Sequence, residues 1–320
     1  MNNTMLCDKR ALVCGAGGFI GHHLVSRLKR EGYWVRGIDL KKPFSETEAD
    51  HFIIGDLRDQ VVCRAAMQTY DEVYQLAAEM GGAEYVFTGE NDADIMHNSA
   101  IINLNILNEC RRNHIEKVFF SSSVCMYPIN HGYQDCNEDS AYPANPDSEY
   151  GWEKIFSERL YLAFRRNYGI QTYIARFQNT YGPSSAWKGI RAKAPAALCR
   201  KIAMAADDGE IEVLGDGKQQ RSYIYIDDVI EGILRLVRSD FSGPVNIGTE
   251  EVVTVDQMVD IIADIAGKKI RKKYVPGPVG AHNRGTTNEL IRKKLQWAPI
   301  SPLKFGLKKT YEWVAQQVRM

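Results

Sequence analysis

Residues 11–21 read Ala11-Leu12-Val13-Cys14-Gly15-Ala16-Gly17-Gly18-Phe19-Ile20-Gly21, an apolar run that breaks into glycines and resumes in a helix-compatible stretch, FIGHHLVSRLKR (19–30). The apolar half suits a strand buried on both faces. Gly15, Gly18 and Gly21 form a GxxGxxG turn between that strand and the helix. Glycines in such a turn let backbone amides approach a pyrophosphate, which the positive end of the helix then holds. The next β-prone run, YWVRGID (33–39), ends in Asp39, 18 residues beyond Gly21. A carboxylate there would bind the adenosine ribose hydroxyls and repel a 2′-phosphate, which favours NAD over NADP, although Lys41 and Lys42 stand close by and weigh the other way. The third run, FIIGD (52–56), places Asp56 either as an acceptor for the adenine amino group or as a helix cap within GDLRD.

Outward from this unit, EVYQLA (72–77), KVFFSSS (117–123) and IQTYIARF (170–177) continue the alternation of β-prone and helical patterns. The alternation predicts an α/β protein with a Rossmann-type, doubly wound parallel sheet. The segment from Ser148 to Tyr168 reads as a long half-buried helix opened by a cap at Asp147-Ser148. After about residue 178 the texture changes, with Gly-Pro turns at Gly182-Pro183, Gly243-Pro244 and Gly277-Pro278. The expectation is a cofactor-binding domain over 1–178 and a smaller α/β substrate lobe over 179–320, with segments free to cross between them. No repeat or low-complexity tract interrupts this pattern.

Composition limits the partners. The chain has 320 residues, 44% hydrophobic and 25% charged, with 40 Lys+Arg against 40 Asp+Glu, so it has neither the basic footprint of a nucleic-acid binder nor that of a membrane-surface protein. No stretch approaches the ~18 apolar residues of a membrane span. The N-terminal MNNTMLCDKR lacks the basic-then-apolar pattern of a secretion signal. Seven scattered cysteines (Cys7, Cys14, Cys63, Cys110, Cys125, Cys136, Cys199), with no pair at zinc-ligand spacing, suit a reducing cytoplasm and predict no metal site.

The chemistry-bearing residues lie later. The fifth β-prone run ends in Ser121-Ser122-Ser123, and 27 residues past Ser123 stands Tyr150-Gly151-Trp152-Glu153-Lys154. A Tyr and a Lys four apart share one helical face, where the ammonium can lower the phenol pKa and hold the nicotinamide ribose. Tyr150 then serves as a base for a substrate hydroxyl, and Ser123 would hydrogen-bond the same oxygen.

GAGGFIG, Asp39, Asp56, LAA (76–78), Asn105, SSS, YGWEK, RFQNTYGP (176–183), RSYIYIDD (221–228), NIG (246–248) and KLQWAP (294–299) together resemble the extended short-chain dehydrogenase/reductase family, the nucleotide-sugar epimerases and dehydratases. The resemblance spans nearly the whole chain. It implies an NAD site that also draws on Phe19, Ile20, Leu57, Ala77, Ala78 and Phe177. A dehydratase of this family would carry an acidic pair where Val124-Cys125 stands. The blocks SSSVCMYP (121–128), AWKGIRAKAPAA (186–197) and GDGKQQRS (215–222), with Met80-Gly81-Gly82, resemble the branch of the family that inverts GDP-mannose at C3 and C5 to GDP-L-galactose, with GDP-L-gulose from inversion at C5 alone.

That branch implies transient oxidation at C4 by bound NAD, because a C4 ketone acidifies the hydrogens at C3 and C5. Inversion then needs a base on one face and an acid on the other. Cys125 and Lys193 are the titratable pair outside the superfamily pattern, and the resemblance makes Cys125 the base and Lys193 the acid. From the residues alone, Cys125 reads equally as a small buried hydrophobe, and Lys193 as a phosphate partner. The resemblance further implies a GDP-sugar site of Gly82, Ser123, Val124, Cys125, Tyr150, Asn179, Lys188, Ala192, Lys193, Ala194, Lys201, Gln219, Gln220, Arg221 and Arg284. Arg221 and Arg284 are there the bidentate partners of the diphosphate. It also implies a homodimer paired through the helix of residues 98–111 and the one bearing Tyr150; IINLNIL (101–107) fits such a face and fits a core equally. The competing readings are an NAD-dependent epimerase of another nucleotide hexose and a non-catalytic NAD-binding protein.

Overall fold

The computed structural model describes residues 9–128, 134–277 and 284–320, with the side chains of all of these except 134, 135 and 284. The chain opens with β1 (Arg10–Cys14), α1 (Phe19–Arg30), β2 (Trp34–Asp39), β3 (His51–Ile54), α2 (Gln60–Ala66) and β4 (Glu72–Gln75). It continues through α3 (Ala83–Val86), α4 (Asp92–Arg112), β5 (Lys117–Ser123), β6 (Gln134–Cys136), α5 (Glu149–Tyr168) and β7 (Gln171–Phe177). Then come β8 (Asn179–Tyr181), α6 (Ala194–Met204), β9 (Gly209–Leu214), β10 (Gln220–Arg221), β11 (Tyr223–Tyr225), α7 (Ile226–Val237) and β12 (Val245–Ile247). The last elements are β13 (Val253–Thr254), α8 (Val255–Ala266), β14 (Ile270–Val275), β15 (Arg284–Thr286), α9 (Glu289–Leu295) and α10 (Leu303–Arg319).

Seven strands form one parallel sheet in the order β12-β7-β5-β4-β1-β2-β3. The order reverses at β1: the chain moves one way to β2 and β3, then returns to the other side of β1 with β4. A crevice forms outside the carboxyl ends of the strands at such a reversal, and ligands of doubly wound sheets bind there. The GAGG turn and the end of β4 both sit at that point. The remaining strands pair in short two-stranded units, β8 with β11, β9 with β14, β10 with β13 and β6 with β15.

Alternation along the strands separates two cores. Ala11 and Val13 of β1, Phe119 of β5 and Tyr173 and Ala175 of β7 face one side, under α1 and α7, and continue into the apolar faces of α6, α8 and α10. Leu12 and Cys14, Phe120 and Ile174 face the other side, under α2, α4 and α5. Successive side chains of a strand point to opposite faces, so a strand covered on both sides reads as unbroken apolar sequence.

The helix termini follow local chemistry. Ser148 caps α5 by accepting from the Gly151 amide at 3.3 Å, and Gly169 ends it at φ 72°. Thr254 and Gln257 make a reciprocal capping box at α8. Within α4, the IINLNIL run divides: Ile102, Ile106 and Leu107 are core, whereas Leu104 points outward. Among the described residues, no helix is long and apolar enough to cross a membrane.

Candidate active site

At the carboxyl end of β1 the backbone is shaped for close approach. Gly15 adopts φ 81°, and a side chain there would also meet the Ala77 amide nitrogen at 2.8 Å. A Cβ on Gly17 would fall 2.0 Å from the Lys41 carbonyl oxygen, and one on Gly21 would fall 2.1 Å from that of Gly15. Gly18 is the N-cap of α1, so Phe19 and Ile20 form its first turn. The result is a bare backbone cradle at a helix N-terminus, which fits a dinucleotide pyrophosphate. Gly17 was not among the residues singled out from the sequence; the adjacent glycines of GAGG are the signal for it.

Asp39 ends β2 and is tied into this cradle. Its Oδ2 accepts from the Gly17 amide at 3.0 Å and its Oδ1 from the Lys41 amide at 3.2 Å. Burial raises its pKa, against the pull of those amides toward lower values. Asp56, in the loop after β3, is paired with Arg58 at 2.6 Å, and that guanidinium holds its carboxyl below the usual range. The cap of the following helix, α2, is Asp59, which accepts from the Val61 amide at 2.7 Å, so the cap reading of Asp56 gives way to its neighbour three residues on. Leu57 is buried beside Asp56. Ala77 and Ala78 follow β4, with Ala77 held by both ends of the Gln75 amide.

Two strands along, the chemistry-bearing residues meet. Ser123 ends β5, directly opposite Phe177 of β7, and its hydroxyl accepts from the Cys125 amide at 3.2 Å. Val124 and Cys125 lie in the single 3₁₀ turn that follows. Gly151 brings α5 against this turn: a Cβ there would lie 2.5 Å from the Cys125 carbonyl oxygen. Tyr150 is therefore delivered beside Cys125 and Ser123, in a cluster with Tyr85, Val86 and Ile95. Burial, reinforced by the neighbouring Cys125 and Glu153, raises the Tyr150 phenol well above its ordinary value, against the Ser123 hydrogen bond, which lowers it. The sequence expectation of a lowered phenol pKa is thus outweighed by desolvation in the protein alone.

Lys154, only 2% exposed, places its ammonium 5.3 Å from the Tyr150 ring centroid and 5.1 Å from that of Phe120. Its counter-charge is Glu153 Oε2 at 3.2 Å. Glu153 is buried, and its other oxygen accepts from Ser157 at 2.5 Å and Asn103 at 3.3 Å. Glu153 and Asn103 were missed in the sequence. Glu153 is three residues from Tyr150 and so shares its helical face, which is the signal that marks it.

Lys193 arrives from the other part of the chain, as the N-cap residue of α6 between Ala192 and Ala194. Desolvation lowers its pKa, while the nearby Cys125 sulfur raises it. The carbonyl of Ala192 stands 2.7 Å from the position of a Cβ on Gly82. A second group lies farther along: Asn179 at the start of β8 donates to the Ser222 carbonyl at 3.3 Å, and Lys201 donates to that of Glu212 at 2.7 Å. Gln219 donates to the Leu214 carbonyl at 3.1 Å, and Gln220 and Arg221 form β10. Lys188 lies over the Trp187 ring at 5.0 Å. The side chain of Arg284 lies outside the described residues.

Residues 11–248 match the NAD dependent epimerase/dehydratase family. The chain is 41% identical over 313 residues to the GDP-mannose 3,5-epimerase of Arabidopsis thaliana, covering 96% of this chain and 82% of that protein. Its fold is similar to the crystal structure of UDP-glucose 4-epimerase from Thermotoga maritima with UDP-glucose, at a TM-score of 0.86 and 26% identity over 97% of this chain and 99% of that one. It is also similar to UDP-glucuronic acid 4-epimerase from Bacillus cereus in complex with UDP-glucuronic acid and NAD, at a TM-score of 0.84 and 26% identity over 96% of this chain and 99% of that one.

Proposed function

This chain belongs to the NAD-dependent epimerase/dehydratase family, and we propose that it inverts GDP-mannose at C3 and C5 to give GDP-L-galactose, with GDP-L-gulose from C5 inversion alone. The observation that carries the reading is the meeting of Cys125 and Lys193, from opposite parts of the chain, at the Ser123–Tyr150–Lys154 cluster. A 4-epimerase that only removes and returns a hydride has no use for a second acid-base pair. An enzyme that inverts carbons beside the oxidised one needs it.

The cofactor is NAD; the Gly15–Gly21 cradle, to which Asp39 is tied, would hold its pyrophosphate, with Asp39 at the adenosine ribose, Asp56 toward the adenine, and Phe177 and Lys154 toward the nicotinamide end. Bound there, NAD would supply the hydride acceptor and donor for C4. Tyr150 accepts the proton of the C4 hydroxyl while Ser123 steadies the same oxygen, and Lys154 favours the phenolate that this requires. With a ketone at C4, the hydrogens at C3 and C5 become acidic. Cys125 removes one as a thiolate and the Lys193 ammonium delivers a proton to the opposite face; the thiol then loses its proton to solvent and the amine regains one from solvent, and the restored pair acts at the other carbon. Lys193 is equipped for this by desolvation, which makes its proton easier to give up than that of a surface lysine.

The diphosphate falls to Arg221, Arg284, Lys188 and Lys201, with Asn179, Gln219 and Gln220 around the nucleotide and Gly82, Val124, Ala192 and Ala194 against the sugar. The lobes divide near residue 178, with β12 returning to the central sheet. The protein is a cytoplasmic homodimer paired through α4 and α5, where Leu104, Trp152 and Phe156 stand exposed. Incubation with GDP-mannose in deuterium oxide tests the reading: deuterium is expected at C3 and C5 of the hexose, and its absence from both carbons overturns it.

A further inference from the structure

Lys193 lies on a stretch between β8 and α6 that has no strand or helix of its own from Gly182 to Lys193. Something must set its position to within the tolerance of a proton transfer. The 187–193 stretch rests on the segment after β4. A Cβ on Gly82 would fall 2.7 Å from the Ala192 carbonyl oxygen and 3.0 Å from that of Ile190, so the two backbones touch.

One residue fastens them. Arg191 Nη2 donates to Glu79 Oε1 at 2.7 Å, its Nη1 donates to the Met80 carbonyl at 2.8 Å, and its guanidinium lies 4.4 Å from the Tyr85 ring centroid. Glu79 is fixed in turn: Oε1 also accepts from the Tyr85 hydroxyl at 2.8 Å, Oε2 accepts from Asn98 at 3.4 Å, and its own amide donates to Ser99 at 3.0 Å. Tyr85 packs in the cluster that contains Tyr150 and Cys125. The guanidinium of Arg191 is about half exposed and Glu79 about one-fifth. A pair so exposed adds little to stability. Its planar fork and ring stacking nonetheless fix direction in a way a lysine would not.

We infer that Arg191 and Glu79 form a latch that holds Lys193 opposite Cys125, making both of them positioning residues for the proton-transfer half of the reaction and not for the hydride half. The inference rests on the proposed C3/C5 inversion. The hydrogen bonds of Arg191 and Glu79 run to Met80, Tyr85 and α4, whereas Ser123, Tyr150 and Lys154 are carried by β5 and α5, so C4 oxidation should survive loss of the latch. A misplacement of about 1 Å at the proton donor is enough to cost on the order of 10²-fold in rate.

The test uses the full chain with NAD and GDP-mannose, and reads two signals from each variant: nicotinamide reduction by absorbance, and solvent deuterium at C3 and C5. Arg191→Ala should lower deuterium incorporation by about 10- to 100-fold while the rate of nicotinamide reduction stays within about twofold of wild type. Glu79→Gln, which keeps the shape and the backbone contact, should fall in the same direction and serves if Arg191→Ala does not fold. The double variant should be no worse than Arg191→Ala, because the two residues act as one unit. Equal losses in both signals, losses that multiply in the double variant, or wild-type deuterium incorporation in Arg191→Ala would each overturn the latch. Wild-type protein that reduces nicotinamide but takes up no deuterium overturns the proposed inversion itself, and is told apart from failure of the latch because the unmodified chain shows it.

Discussion

At the carboxyl end of β1 the constraint lies in the backbone: methyl groups added to Gly17 and Gly21 would fall 2.0 and 2.1 Å from carbonyl oxygens. At the carboxyl end of β5, two strands away, it lies in side chains. Ser123, Cys125, Tyr150 and Lys193 come from three stretches of chain, and burial shifts the pKa of Tyr150 up and that of Lys193 down. The first site is specified by what is missing and the second by what is brought together. A cradle of this kind tolerates almost no added atom, and a proton-handling cluster tolerates changes of shape better than changes of charge or pKa.

The largest effects should come from the cluster. Tyr150→Phe removes the proton acceptor at C4 and should lower both nicotinamide reduction and solvent exchange by about 10³-fold, with NAD still bound, since general acid-base groups contribute roughly 10²–10⁴-fold. Cys125→Ser should separate the two signals: exchange at C3 and C5 falls by a similar factor while GDP-mannose-dependent nicotinamide reduction continues. Loss of bound NAD in Cys125→Ser, measured on the purified protein, would instead make the thiol part of the scaffold.

At the cradle, Gly21→Ala should act on NAD affinity and leave the chemistry of any bound NAD intact. Overpacking costs of about 1–3 kcal/mol correspond to roughly 5- to 150-fold weaker binding. Fluorescence titration with NADH checks it, and unchanged affinity would mean that the helix shifts freely against β1. Gly151 crosses the divide, because it is a backbone constraint inside the chemical cluster. Gly151→Ala must push α5 off the Cys125 carbonyl and should cost about 10-fold or more in nicotinamide reduction at unchanged NAD affinity. A variant with wild-type kinetics would show that Tyr150 tolerates displacement.

The two regions also differ in how far the sequence exposes them. The cradle is written in consecutive residues, because its geometry comes from a strand, a turn and a helix that follow one another; β1 and the start of α1 fall within a residue of the runs read from ALVCGAGGFIG. β5 over Lys117–Ser123 and the Ser148 cap of α5 are legible for the same reason. Tyr150 and Lys154 are legible as a pair because a helix places residues four apart on one face. The Glu153 carboxylate was overlooked in that same motif, because a glutamate beside a lysine on a helix reads as solvent-facing until the burial of α5 against α4 is known. Arg191 and Glu79 are 112 residues apart, and only the fold brings them within 2.7 Å. Asp56 shows the converse: local pattern fits it equally to a cap and to an adenine contact, and the cap is Asp59.

The smallest predicted effect separates the two titrating groups of the cluster. Desolvation lowers the Lys193 pKa from the ordinary lysine value and raises that of Tyr150 above the ordinary phenol value. Delivery of a proton by Lys193 requires its charged form, so exchange at C3 and C5 should decline as pH rises through a value below the usual lysine range of about 10.4. Tyr150 acts as a base, so titration of its phenol would instead raise the rate with pH, and would do so above the usual phenol value of about 10, because burial moves that group the opposite way. Rates of deuterium incorporation in wild type across alkaline pH decide between them. Lys193→Arg keeps a positive charge that does not titrate in this range, so the residual exchange of that variant should lose the alkaline limb. Retention of the limb in Lys193→Arg would move the titration to another group and take Lys193 out of the proton-donating role, leaving the cluster with charge at that position and no acid.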